Sequence, residues 1–200
     1  MSRNSTEKTP TLFAIFLIVA GLVGLYASFQ LTLEKLSQLE FPNKPLSCDF
    51  GLFVTCGPNL SSAQGSILGF PNSLMGVAAF VAPIAVGVGL LAGARFARWF
   101  WVIFNLGVLG AFVFIGWLIS QSLFVIGTLC PYCLVTWLAV IPLFWTVTFF
   151  TLKNGYVIDS AAARNFGRHA YSWVISITIV TYLILAILIQ VGLDAIQQLF

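Results

Sequence analysis

The chain has 200 residues, of which 60% are hydrophobic and only 8% are charged. A soluble domain carries roughly 25% charged residues, so this chain lacks the polar surface needed to remain in water. Its net charge of +3 is too small to mark a nucleic-acid-binding protein, and the informative question is where the charges fall.

A helix needs about 20 apolar residues to cross the hydrocarbon core of a bilayer. Five segments meet that requirement: Leu12–Leu33, Ser73–Ala92, Trp99–Ser120, Pro131–Leu152 and Tyr171–Gly192. The first is too long for the apolar region of a signal peptide and is followed by no small-residue cleavage site, so it reads as a retained span. Glu34 to Asn72 reads as a long polar loop, and Gly93 to Arg98 as a tight turn. Gln121 to Cys130 is short and uncharged, and Lys153 to Ala170 is a moderate basic loop. After the fifth segment only eight residues remain, so the expectation is a single membrane domain over 1–200 with no appended soluble domain.

Lysine and arginine accumulate on the cytoplasmic side of membrane proteins. With five crossings, Arg3, Lys8, Arg95, Arg98, Lys153, Arg164 and Arg168 share one side, and only Lys35 and Lys44 fall on the other. Seven against two predicts a cytoplasmic N-terminus, with the C-terminus and Asp194 outside. All four cysteines then lie at the extracytoplasmic face, which in a bacterial inner membrane is the oxidising side.

The cysteines form two local pairs, Cys48 with Cys56 and Cys130 with Cys133. In Cys130-Pro131-Tyr132-Cys133 the proline suits the first helical position, where its missing N–H costs nothing. The positive end of the helix dipole there favours the thiolate, the nucleophile of disulfide exchange. Cys133 would sit just inside the lipid boundary, within reach of a hydrophobic quinone. The plainer alternative is two buried cysteines acting as small hydrophobes. Cys48 and Cys56 lie in a loop with Gly51 and Gly57. They read either as a mobile pair that meets a partner and then Cys130, or as a structural staple. Cys56 is the expected contact of Cys130 because it is nearer the segment that returns to the membrane. Zinc fits poorly, since structural sites favour short spacings on both arms and one arm here has seven intervening residues.

Other residues are candidate contacts for a bound ring. Asn72 follows Pro71 at the outer end of the second span, where its amide would either bond a carbonyl oxygen or help cap the helix. Phe53, Phe70, Tyr132 and Trp137 offer flat apolar surface, although aromatics at an interface commonly form a belt. Asn105 reads as interhelical glue on the inner half. Asn59-Leu60-Ser61 is a glycosylation sequon, a pattern that often occurs by chance and has no meaning in a bacterium.

Taken in order, Cys48-Asp49, Cys56, Ser62, Pro71-Asn72-Ser73 leading to Gly76, and Cys130-x-x-Cys133 resemble the vitamin K epoxide reductase family. The resemblance covers most of the span from Cys48 to Trp137. It implies an all-α integral membrane protein with five transmembrane helices: a four-helix bundle around a quinone site, the loop folded over it as a lid, plus the extra helix of bacterial members. Cys130 and Cys133 would be the active-site pair with Cys133 facing the quinone, and Cys48 and Cys56 would shuttle electrons. Asn72 would bond the quinone, and Ser62 would hold the lid or support the site. The animal enzymes carry a tyrosine four residues past the second active-site cysteine, where this chain has Trp137, a donor only. That departure favours a plain quinone (ubiquinone or menaquinone) over an epoxide. Bacterial relatives often carry a fused thioredoxin-like domain. Here the expected partner is a separate DsbA-like thioredoxin-fold protein outside the membrane. The competing readings are an animal-type reductase of vitamin K epoxide, a DsbB-like protein, whose four helices and different loops fit less well, and a non-catalytic membrane protein with a structural loop disulfide.

Overall fold

The computed structural model describes residues 10–42, 45–51 and 54–193. Phe53, Arg3, Lys8, Lys44 and Asp194, which entered the sequence reading, lie outside the described residues. The fold is all-α. In chain order its helices are α1 (Thr11–Glu40), α2 (Gly57–Ser61), α3 (Asn72–Leu91), α4 (Arg98–Gln121), α5 (Pro131–Lys153), α6 (Ala161–Ser172) and α7 (Val174–Leu193). A 3-10 turn follows α2 at Ala63–Ser66, and a π-helical turn extends α4 at Ser122–Ile126.

Five of these helices are long and apolar enough to cross a membrane, and the chain is an integral membrane protein. Apolar side chains on α4 and α7, such as Ile103, Val113, Ile179, Leu183 and Ile187, point away from the protein, as a lipid-facing surface requires. The most extensive packing is α1 against α3, followed by α1 against α5. Small residues make the first contact possible: a Cβ on Gly24 would overlap the Phe80 ring, and one on Gly87 would lie 2.6 Å from the Ala14 carbonyl oxygen. Close backbone approach through small residues is how helices associate where no water is available to drive them together. Asn105 on α4 accepts from Thr148 Oγ1 on α5 at 3.1 Å, an interhelical bond within the apolar interior.

Two connections differ from the sequence expectation. Helix α1 runs past Leu33 to Glu40, so part of the segment read as loop is helical. Hydropathy marks only the stretch inside lipid, and Glu34, Lys35, Ser37 and Gln38 are compatible with a helix that continues into water. The basic loop after α5 contains α6, whose Ser160 N-cap accepts from the Ala163 amide at 3.1 Å. Gly167 and Ala170 of α6 are buried, and a Cβ on Gly167 would meet the Lys153 amide at 2.5 Å. Lys153 Nζ sits 3.4 Å above the centroid of the Tyr171 ring. The final span accordingly starts at Val174, after a break at Trp173, rather than at Tyr171.

Candidate active site

The segment between α1 and α3 folds over one end of the bundle as a lid. Its anchoring begins in the backbone. Val54 pairs with Leu129 in a parallel bridge, and the Thr55 amide donates to the Leu129 carbonyl at 2.9 Å. Cys56 follows Thr55 and Cys130 follows Leu129, so this register brings Cys56 beside Cys130, with their sulfurs 3.1 Å apart. Cys56 is disulfide-bonded to Cys48, whereas Cys130 and Cys133 are free thiols. Cys48, Cys56 and Cys130 are all buried, packed with Leu31 and Leu46 and flanked by Leu60, Tyr132 and Cys133.

Asp49 braces this arrangement. One oxygen accepts from Thr55 Oγ1 at 2.5 Å and the Cys56 amide at 3.1 Å, and the other accepts from the Leu46 amide at 3.2 Å. Burial pushes the Asp49 carboxyl up, but the hydrogen bonds from Thr55 and from backbone amides together hold it below its ordinary value. Helix α5 begins at Pro131 with Cys130 at the N-cap position. The Cys133 thiol beside it holds Cys130 below the ordinary thiol value of 9.0; burial opposes this, and the Cys133 and Tyr132 amides at the helix start reinforce it. Cys130 is therefore biased towards the thiolate, the reactive form in exchange.

The lid is tied down from several directions. Lys35 Nζ on α1 donates to the Leu60 carbonyl at 2.7 Å. Asn59 Nδ2 donates to Thr128 Oγ1 at 2.9 Å, and its Oδ1 accepts from Ser122 Oγ at 3.0 Å, which docks the lid on the π-helical turn. Gly127 closes that turn in the left-handed region at φ 73°, a conformation glycine adopts without penalty. Asn72 Nδ2 donates to the Gln64 carbonyl at 2.6 Å, and its Oδ1 accepts from the Ile67 amide at 3.2 Å. Ser62 Oγ donates to the Asn59 carbonyl at 2.8 Å and accepts from the Gly65 amide at 3.1 Å.

Beneath the lid lies a cavity of about 470 Å³, walled by α1, α3, α4 and α5. Most of its lining is apolar, including Ala79, Phe80, Val108, Phe114 and Val140. Polar groups from Asn59, Ser62, Gln64 and Asn72 also line it, and all come from the lid or the start of α3. Cys133 and Trp137 stand in the α5 wall. Of the expected ring contacts, Ser62, Asn72 and Trp137 border the cavity. Tyr132 instead packs against the cysteine cluster, because successive positions at the start of a helix point in different directions. Phe70 is exposed. Asn72 does not cap α3; its amide oxygen and one Nδ2 hydrogen hold lid backbone, and the second Nδ2 hydrogen remains a donor at the cavity border.

Sequence reasoning missed Asn59 and Lys35. Asn59 drew attention only as a sequon, and Lys35 only as a charge counted for sidedness. The signal available for Lys35 was its place one helical turn after Leu31, on the same face.

These observations define a class: an integral membrane helical protein in which a disulfide-bearing lid abuts a second cysteine pair above an apolar cavity. The model of the vitamin K epoxide reductase family matches residues 15–148, and the chain belongs to that family. The match takes in most of the four cavity-lining helices and excludes α6 and α7. No curated protein and no solved structure matches the chain. Membership makes it a membrane oxidoreductase of the disulfide- and quinone-related kind.

Proposed function

We propose that the protein is a quinone-dependent thiol:disulfide oxidoreductase that makes disulfides and hands them, through Cys48 and Cys56, to a separate DsbA-like thioredoxin-fold protein. The observation that carries this reading is the row of sulfurs: Cys48 bonded to Cys56, Cys56 3.1 Å from Cys130, and Cys133 next in line in the cavity wall. A purely structural loop disulfide does not need a second cysteine pair pressed against it.

The relay runs along that row. A reduced partner dithiol opens Cys48–Cys56 through a mixed disulfide and leaves two loop thiols. The Cys56 thiolate attacks Cys130 of the Cys130–Cys133 disulfide and releases Cys133 as thiolate. Cys48 then attacks Cys56, which restores the loop disulfide and frees Cys130. Two electrons have now moved to Cys130 and Cys133, and this is the redox state described above. When the pair closes again as a disulfide, the quinone takes up the two electrons with two protons.

The cavity suits such an acceptor: its long apolar wall matches an isoprenoid quinone, its polar side lies by the lid, and Cys133 borders it. Ubiquinone and menaquinone both meet this description. The basic side chains Arg95, Arg98, Lys153, Arg164 and Arg168 belong to the end of the bundle opposite the sulfurs, which supports a cytoplasmic N-terminus and an extracytoplasmic active site in a bacterial inner membrane.

The test is quinone reduction by the purified protein supplied with a reduced thioredoxin-fold donor. Turnover with ubiquinone or menaquinone, and none with vitamin K epoxide, is expected. Failure of both quinones to accept electrons overturns the proposal, and epoxide turnover favours the animal-type activity.

A further inference from the structure

Among the described residues, Lys35 is the one charged side chain that lines the cavity. It is half-buried on α1, one turn beyond Leu31, which borders both the cavity and the cysteine cluster. Its ammonium has no carboxylate partner among the described residues, where the one ion pair joins Arg164 to Asp159. The neighbouring carboxylate, Glu34, is turned to the amide and hydroxyl of Ser47 instead. Of the three hydrogens a lysine can donate, one reaches the Leu60 carbonyl at 2.7 Å. The rest of its charge borders a space with mostly apolar walls.

A half-buried cation that faces such a space without a counter-ion is better satisfied when something in the space is negative. The reaction proposed above supplies that negative charge in passing. Electrons leave the cysteine pair for the acceptor, and its oxygen becomes negative until a proton arrives. A fixed positive charge that acts more strongly on this state than on the neutral acceptor lowers the barrier.

We propose that Lys35 is a further catalytic residue, whose ammonium contacts the oxygen of the bound quinone that turns anionic as Cys130 and Cys133 are oxidised. The inference rests on the quinone reading. Lys35 thereby has two duties, closing the lid through Leu60 and favouring the negatively charged form of the ligand beneath it. An acceptor whose oxygens never become negative would gain nothing from it.

The experiment is equilibrium binding to the full-length protein with both cysteine pairs oxidised, so that no thiol reacts with the ligand. Two tailless probes are compared by tryptophan quenching, since Trp137 is in the cavity wall: a hydroxynaphthoquinone, anionic at neutral pH, and menadione, its neutral methyl counterpart. The wild type should prefer the anion. Lys35→Met should weaken the anion about tenfold to a hundredfold more than it weakens menadione, the worth of a charge-assisted hydrogen bond beyond the shared loss of the lid clamp. Lys35→Arg should restore the preference. Turnover should follow the same order, with kcat reduced in Lys35→Met and recovered in Lys35→Arg.

A lysine that only clamps the lid would affect both probes alike, so equal weakening, or an unchanged anion preference in Lys35→Met, overturns the proposal. If the wild type binds menadione but shows no preference for the anion, Lys35 has no such role and the quinone reading stands. If it binds neither probe, the quinone reading fails and this inference falls with it.

Discussion

At one end of the bundle, Phe13 stacks on Phe150 at a centroid distance of 3.9 Å, and Trp101 lies against both rings and against Tyr156. At the other end, sulfurs, amides and one ammonium surround a cavity of about 470 Å³. The aromatic end fills its space with large rings, so its energy comes from contact area and dispersion. The sulfur end leaves space open and closes it with single hydrogen bonds, each worth about 1 kcal/mol net. The same helices serve both ends, so rigidity at one end allows the other to remain unfilled. Damage to the aromatic end should therefore appear as lost stability, and damage to the sulfur end as lost chemistry.

The largest effects expected test the chemical half of that contrast. Cys133→Ala should abolish quinone reduction, and so should Cys130→Ala, while thermal unfolding of both variants stays close to wild type. Near-normal turnover by either would remove Cys130 and Cys133 from the catalytic role. The stability half is tested by Trp101→Ala, which should cost about 3–5 kcal/mol through the void it leaves. Unfolding in mixed micelles measures that loss, and turnover per folded molecule should be preserved.

Within the sulfur end, Cys48→Ala and Cys56→Ala should distinguish between reductants. A small dithiol should reach Cys130 and Cys133 without the lid pair, so activity with it should partly survive, whereas activity with a protein dithiol should fall sharply. Equal loss with both donors would count against a relay. Asn59→Ala should loosen the lid without unfolding the bundle, raising amide exchange across α2 by an amount equivalent to about 1–3 kcal/mol, since it removes the donor to Thr128 Oγ1 and the Ser122 bond that dock the lid. The smallest effect is a pH response at Asp49. Its folded carboxyl is held below the ordinary value of 3.8, so its bracing is full above that value and is lost as pH falls through the lowered one. Asp49→Asn should remove this acid-side loosening, measured as lid amide exchange against pH.

The sequence made the spans legible because a run of apolar residues in Trp99–Ser120 or Pro131–Leu152 has few alternatives to crossing a membrane. The start of α5 was equally readable, since Pro131 after Cys130 suits only a few backbone conformations. What remained hidden were features set by tertiary contact. Helix α6 is too polar for a hydropathy search, and its buried residues are merely Gly167 and Ala170. The partners of Asn59 lie at Ser122 and Thr128, far along the chain, and no local pattern announces them. The role of Asn72 as a holder of lid backbone could not be separated, from sequence, from the role of a free amide.

The backbone pairing of Val54 with Leu129 has a consequence for how this protein tolerates change. The closeness of Cys56 to Cys130 is encoded in the main chain, two residues beyond Val54 and one beyond Leu129 of a bridge, and owes little to which side chains form that bridge. Substitutions at Val54 or Leu129 that keep an extended backbone should leave the sulfurs adjacent. A single residue inserted between Val54 and Cys56, or between Leu129 and Cys130, would turn one sulfur away however conservative the inserted residue. At this point the chain tolerates new composition far better than new length.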